Sequence, residues 1–302
     1  MTRPPFPRVV DSTLRASFVA CPHKFYREYL QHWKPLRESA HLVAGAAFAK
    51  GIEVTRLSYY GAGNPPDVAL GEGLAALIRE YGEFDTEDSG SAKTLENMCG
   101  ALSEYFTVHP LASDPVVPHM VGGQPAVEFS FALPLDIINP ETGDPILYAG
   151  RFDMLGIYNE ALFAVDEKTA SQLGAQWQKN WTLRSQLTGY CWAAREYGYP
   201  VAGAIIRGIS ILKNGYGNAE SIQYRPQWQI DRWYTQLHRD LTRMVEAWKE
   251  NYWDYNLDSS CSSYGGCPFL DICNSNDPER WLAADFVQRE WSPLANHKAP
   301  SA

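Results

Sequence analysis

Tyr148-Ala-Gly-Arg-Phe-Asp153, Leu162-Phe-Ala-Val-Asp166-Glu167-Lys168-Thr169 and Gln186-Leu-Thr-Gly-Tyr190 are three pieces of one stretch, residues 148–190, whose reading decides the fold. Ile146 to Tyr158 reads as a strand, Asn159-Glu160 as a turn, and Ala161 to Val165 as the returning strand of a hairpin. Side chains alternate along a strand, so Leu162, Ala164 and Asp166 share one face while Glu167 and Lys168 straddle the strand end. An apolar run that stops at Asp-Glu-Lys marks a buried strand surfacing into a cleft. Two carboxylates on adjacent strands, Asp153 and Asp166, suit a hard divalent cation such as Mg²⁺, which takes oxygen ligands and keeps several waters. Lys168, two residues on, can orient an attacking water or neutralise charge building on a phosphate. The pattern points to metal-assisted phosphodiester hydrolysis.

The third piece reads as a helix over about 175–197. Trp177, Trp181, Arg184, Leu187 and Cys191 recur at spacings of three and four, and the run ends at Gly198 and Pro200. Gln186 and Tyr190 are four apart and therefore share a face, which can look onto the metal site.

Gly-Arg-Phe-Asp153, Asp166-Glu167-Lys168-Thr169 and the Gln186/Tyr190 helix together resemble the PD-(D/E)XK nuclease superfamily, in its RecB-like branch with phage exonucleases. The resemblance covers about Ser12 to Cys273. It implies an α/β fold with a central mixed sheet flanked by helices, a restriction-endonuclease-like core. Carried over by motif, Asp153, Asp166 and the backbone carbonyl of Glu167 would hold Mg²⁺ or Mn²⁺, and Lys168 would be the catalytic lysine. Glu128, in Ala126-Val-Glu128-Phe, is a weaker match to a glutamate that opens the preceding strand. Gln186 and Tyr190 would contact DNA or brace the site. The implied activity is a metal-dependent DNA nuclease, more specifically an exonuclease in phage-type recombination or repair, with DNA and a recombination protein as partners. The alternative is a nuclease-fold protein that binds nucleic acid or a partner without cutting.

The helix around Gly45 to Arg56 carries small residues that permit close packing. Family members often place a metal-ligating His there, and this chain has Ala49. Glu53, on the same face, either substitutes for it or pairs with Arg56.

The wider composition agrees with a globular chain: 302 residues, 45% hydrophobic and 20% charged, enough apolar surface for a sizeable core. A formal net charge of −9 excludes a generally sticky nucleic-acid binder, since phosphate contacts need Lys and Arg. A local basic groove remains open to Lys179, Arg184, Arg195, Arg207 and Lys213, with Arg207 placed by the strand Val201 to Lys213 to reach the cleft. No apolar run approaches the roughly 20 residues of a membrane span. The opening Met1-Thr-Arg-Pro-Pro-Phe-Pro is unlike a signal peptide, so a cytoplasmic protein without membrane contact is expected.

The remaining elements follow in order. Ser12 caps a helix that Cys21-Pro22 breaks or restarts, with His23 to Leu30 continuing it; Val68 to Tyr81 and Lys93 to Val108 are helices; Asp85 to Ala92 is an acidic loop. His109 to Pro125 is irregular, and Gln227 to Trp253 is a long helix. Nothing marks a domain boundary, so 1–302 reads as one nuclease domain with its core at about 40–215.

Six cysteines in an intracellular chain suggest metal ligation or burial before disulfides. Cys99 and Cys191, each alone in a helix, read as core residues. Cys261, Cys267 and Cys273 lie at two six-residue steps in a loop bearing Gly and Pro, and Cys21 can complete a four-thiolate set. The resemblance implies a [4Fe-4S] cluster that staples about 12–35 to 255–275. Structural zinc is the alternative, since four thiolates are also its set.

Overall fold

The computed structural model describes residues 3–36, 39–83, 91–262 and 266–295. In chain order its main elements are β1 (Val9–Val10), α1 (Ser12–Ala20), α2 (Ala40–Arg56), α3 (Pro66–Tyr81), α4 (Leu95–Val108), β2 (Val117–Pro118), β3 (Val127–Ile138) and β4 (Pro145–Tyr158). There follow β5 (Ala161–Ala170), α5 (Ala175–Lys179), α6 (Ser185–Glu196), β6 (Gly203–Leu212), β7 (Gly215–Tyr224) and α7 (Gln227–Glu250). Two compact units divide the chain, one of residues 1–37, 131–150 and 231–297, the other of 38–130, 151–230 and 298–302.

The second unit carries the 148–190 stretch from Arg151 onward. Asn159 and Glu160 both take positive φ, 46° and 64°, the mirror-image turn that suits the twist of a two-residue hairpin. β4 and β5 therefore pair antiparallel, from Tyr158 opposite Ala161 to Met154 opposite Val165. β5 then runs parallel to β6, with Asp166 beside Ile206 and Glu167 beside Arg207. β6 turns back into β7. The sheet is mixed and helices flank it, as expected; β7 is a strand that the polar run Gly215 to Tyr224 does not announce.

One core cluster joins α2, α3 and α4 to β6 through Phe48, Ile52, Leu77, Met98, Leu102, Ile209 and Ile211. Each such aliphatic or aromatic side chain contributes about 1.5–3 kcal/mol when removed from water. The small residues of α2 act as foreseen. A Cβ on Gly73 of α3 would collide with the Thr55 hydroxyl and lie 2.7 Å from the Gly51 carbonyl oxygen, so the two helices approach backbone to backbone. A second cluster, Val116, Met154, Phe163, Val165 and Ile205, fixes the hairpin.

The helix expected over 175–197 is two helices. A continuous helix would give the Trp181 carbonyl to the Ser185 N–H. Instead that carbonyl accepts from Arg225 Nη2 at 2.8 Å and from the Arg184 N–H at 3.3 Å, so the chain turns and α6 begins afresh at Ser185.

In the first unit the cap of α1 is Asp11 and not Ser12: Asp11 Oδ1 accepts from the Leu14 N–H at 2.7 Å. Arg15 of α1 pairs with Asp240 of α7 at 2.8 Å, both buried. The chain ends meet here. Trp33–Pro35 pairs antiparallel with Phe286–Gln288, His23 stacks on Tyr255 with ring centroids 4.0 Å apart, and the Ala20 carbonyl accepts from Asn256 and Ser260. Residues 85–90 of the expected acidic loop lie outside the described residues, as do 263–265 of the cysteine segment. No described helix is long and apolar enough to cross a membrane.

Candidate active site

Alternation along β5 separates Asp166 and Lys168 from Glu167. The Lys168 ammonium is ion-paired with Asp166 Oδ2. Asp153 reaches the same strand from β4: the antiparallel ladder stops at Met154 and Val165, and beyond it Asp153 Oδ2 accepts the Glu167 N–H at 2.6 Å. A side chain thus makes the next rung and holds the two strands together where they part. The structure brings Asp153, Asp166 and Lys168 to one place.

Their charges are strongly coupled. Burial, then the Glu167 and Asp166 carboxylates, push the Asp153 carboxyl well above its ordinary range, with Lys168 opposing. Burial also raises Asp166, against the pull of Lys168. Burial disfavours the Lys168 ammonium, yet Asp166 and Asp153 outweigh it and hold its pKa above lysine's usual value. Crowded carboxylates of this kind are relieved by a cation.

Glu167 turns the other way. Its Oε1 pairs with Arg56 Nη2 at 2.5 Å and accepts from the Tyr105 hydroxyl at 3.0 Å. Burial would raise its carboxyl, but Arg56 outweighs that and brings it down to about 2. Arg56 therefore does not pair with Glu53, as one reading of α2 had it; Glu53 pairs with Lys50 at 2.7 Å. Ala49 lies one turn earlier, half-buried.

Glu128 sits at the start of β3 with φ 57°, a left-handed conformation rare for a side chain of its size. It is buried, its Oε2 lies 2.6 Å from Arg151 Nε, and its charge adds to the upward push on Asp153. Gln186 Nε2 donates to the Tyr190 hydroxyl at 2.8 Å. The Tyr190 ring packs on Phe152, centroids 5.4 Å apart, so the pair braces β4 beside Asp153.

Arg207 is a correction to the expected groove. It is 1% exposed, with Nη1 and Nη2 on Asp114 at 2.6 and 2.7 Å and Nε on Glu220 at 2.8 Å, so its guanidinium is spent on two carboxylates and is a strut. Arg195 likewise donates to the Val201 and Arg225 carbonyls. Sequence reading missed Asp114, Tyr105 and Lys93, whose ammonium donates to Thr169 at 2.8 Å. Each lies in a segment remote in sequence from the strand it serves, with no spacing to announce it.

In the first unit all four candidate thiols are free. Burial and then Cys267, Cys21 and Cys261 push the Cys273 thiol up, so each of the other three lies within electrostatic reach of Cys273. Cys191 is buried as expected, its thiol raised to about 12 by burial, and Cys99 packs at the edge of the helical core. Among the described residues no three His, Cys, Asp or Glu side chains form a ready metal cage, at the carboxylates or at the thiols. The expected cysteine metal centre is therefore not shown.

No curated protein sequence matches the chain. Among solved structures, a candidate exonuclease from Eubacterium rectale is similar at 12% identity and a TM-score of 0.48, over 85% of this chain and 88% of that one. The protein SSO0001 is similar at 13% identity and a TM-score of 0.32, over 79% and 88%. The sequence profile of the PD-(D/E)XK nuclease superfamily matches residues 13–274. Matched over most of its length, the chain belongs to the PD-(D/E)XK nuclease superfamily.

Proposed function

We propose that this protein is a Mg²⁺- or Mn²⁺-dependent deoxyribonuclease, an exonuclease working on DNA ends in phage-type recombination or repair, with 1–302 acting as one nuclease domain. The observation that carries the reading is the meeting of Asp153, Asp166 and Lys168. The donor types suit the metal, although among the described residues they form no ready cage. Two carboxylates, with the Glu167 carbonyl and Glu128 as further oxygens, suit a hard cation that retains waters. The raised proton affinity of Asp153 is what an unbalanced carboxylate cluster shows.

When bound, the cation supplies an activated water and neutralises charge on the phosphate. Lys168 can donate from its ammonium to that water or to a non-bridging phosphate oxygen. Glu167, anchored by Arg56 and Tyr105, fixes the backbone between Asp166 and Lys168. Gln186 and Tyr190 hold the strand that bears Asp153.

Cys21, Cys261, Cys267 and Cys273 are the proposed ligands of a [4Fe-4S] cluster, with structural zinc as the alternative. The electrostatic reach of Cys267, Cys21 and Cys261 to Cys273, where the terminal segments pair, supports a soft-metal site. It would reinforce the strand pairing and stacking that already join those ends.

The test is end-labelled linear and closed circular DNA with Mn²⁺. Wild type should shorten the linear DNA and spare the circle, and Asp166→Ala should abolish this while keeping the fold. Retained metal-dependent cleavage by Asp166→Ala refutes the assignment; nicking of the circle makes the enzyme an endonuclease. Ala49, where a ligand is common, favours a second reading in which the fold binds DNA without cutting, and wild type that binds but never cuts would establish it.

A further inference from the structure

Five cations were candidates for a basic groove, and the structure removes two of them. Arg207 is buried between Asp114 and Glu220, and Arg195 is tied to backbone carbonyls. Nearer the site, Arg56 serves Glu167 and Arg151 serves Glu128. Arg184 differs from all of these. It is exposed, its guanidinium carbon stands 6.0 Å from the Trp181 ring centroid, and among the described residues no ion pair engages it.

Its backbone is nonetheless held firmly. The Arg184 N–H donates to Trp181, and its carbonyl accepts from both the Thr188 N–H and the Thr188 hydroxyl. Arg225 clamps the same turn through Trp181 and Thr188. A fixed base with a free, charged tip is the arrangement that presents a cation to a ligand. The turn stands over the site's strand end: Gly208, in register with Lys168, is covered by the Trp177 side chain, Trp177 packs edge-on against Trp181, and Arg184 lies over Trp181. A polyanion approaching an acidic site on a chain of net charge −9 needs such a counter-charge at the point of entry.

We propose that Arg184 is a DNA-binding residue of the cleft, gripping the phosphodiester adjacent to the one on which Asp166 and Lys168 act. The planar fork of arginine suits two phosphate oxygens at once, and Trp181 limits its sweep. The inference rests on the nuclease reading and adds to it the residue that seats the substrate.

The experiment compares wild type, Arg184→Ala and Arg184→Lys in steady-state cleavage of labelled linear DNA over a range of salt concentrations. Arg184→Ala should raise KM about tenfold, keep kcat within about twofold, and lessen the slope of log affinity against log salt by about one. Arg184→Lys should restore the salt slope but only part of the affinity, because the charge remains and the fork does not. Unchanged KM and slope in Arg184→Ala overturn the proposal, as does a loss of kcat that tracks a lowered melting temperature. Should wild type not cut, the nuclease reading falls on its own, and fluorescence anisotropy with the same DNA in EDTA reads the same slope. Wild type that neither cuts nor binds overturns both.

Discussion

Replacing Arg56 by Met should expose how costly the Glu167 carboxylate is to bury. Arg56 is 3% and Glu167 9% exposed, and they meet at 2.5 Å. Without the guanidinium, the Tyr105 hydroxyl at 3.0 Å still donates to that carboxylate. Removing one partner of a buried pair costs about 3–5 kcal/mol. The carboxylate has an escape, which is to take a proton. From an ordinary value of 4.5, neutrality at pH 7 costs about 1.36 × 2.5, or roughly 3.4 kcal/mol. The expected loss at pH 7 is therefore about 3–4 kcal/mol.

The same argument sets the pH dependence. In wild type the Glu167 carboxyl is lowered, so its contribution is present above 4.5 and fades as pH falls toward about 2. In Arg56→Met the folded value moves above 4.5, so the penalty grows with pH and shrinks toward pH 5. Urea unfolding at pH 7 and pH 5 measures both. Arg56→Met with Glu167→Met should recover to within about 1 kcal/mol of wild type, since an apolar pair leaves no charge to desolvate. A single-variant loss below about 1 kcal/mol at pH 7, or an equal loss at both pH values, would refute the reasoning.

Three further outcomes are expected. Gly73→Ala should lose about 1–3 kcal/mol although Ala is the better helix former, because its Cβ meets the Gly51 backbone and the Thr55 hydroxyl. Gly71→Ala, two residues away with nothing within 4 Å, should instead gain up to about 1 kcal/mol, and paired thermal melts decide between them. His109 is lowered from 6.5 to about 4, chiefly by burial, so the unfolded chain binds its proton first. Stability should fall by up to about 3 kcal/mol as pH drops from 6.5 to 4, a slope that His109→Gln flattens in acid titration. Cys267→Ser should lower the melting temperature and remove bound iron or zinc on elemental analysis; wild type with neither metal, prepared without oxygen, would sink the thiolate site.

The hairpin was legible because its instructions are local. Alternating apolar residues make β4 and β5, Asn159-Glu160 accepts the left-handed turn, and the register that follows puts Asp153 opposite the Asp166 end of its partner strand. The small-residue face of α2, the length of α7 and the burial of Cys191 rest on the same kind of short-range pattern. β7 was not legible, since a polar strand takes its structure from the neighbour it pairs with.

Sequence by itself therefore pointed to the family, and to the carboxylates and the lysine that meet where the β4–β5 ladder stops. Tertiary structure alone decided what surrounds them. Arg207 became a strut because Asp114, 93 residues away in sequence, closes on it; the helix broke at Trp181 because Arg225 takes its carbonyl; Arg56 chose Glu167 over Glu53. The reason is that a buried charge must find a partner wherever packing brings one, and packing is a property of the whole core, whereas strand alternation and turn geometry are settled within a few residues.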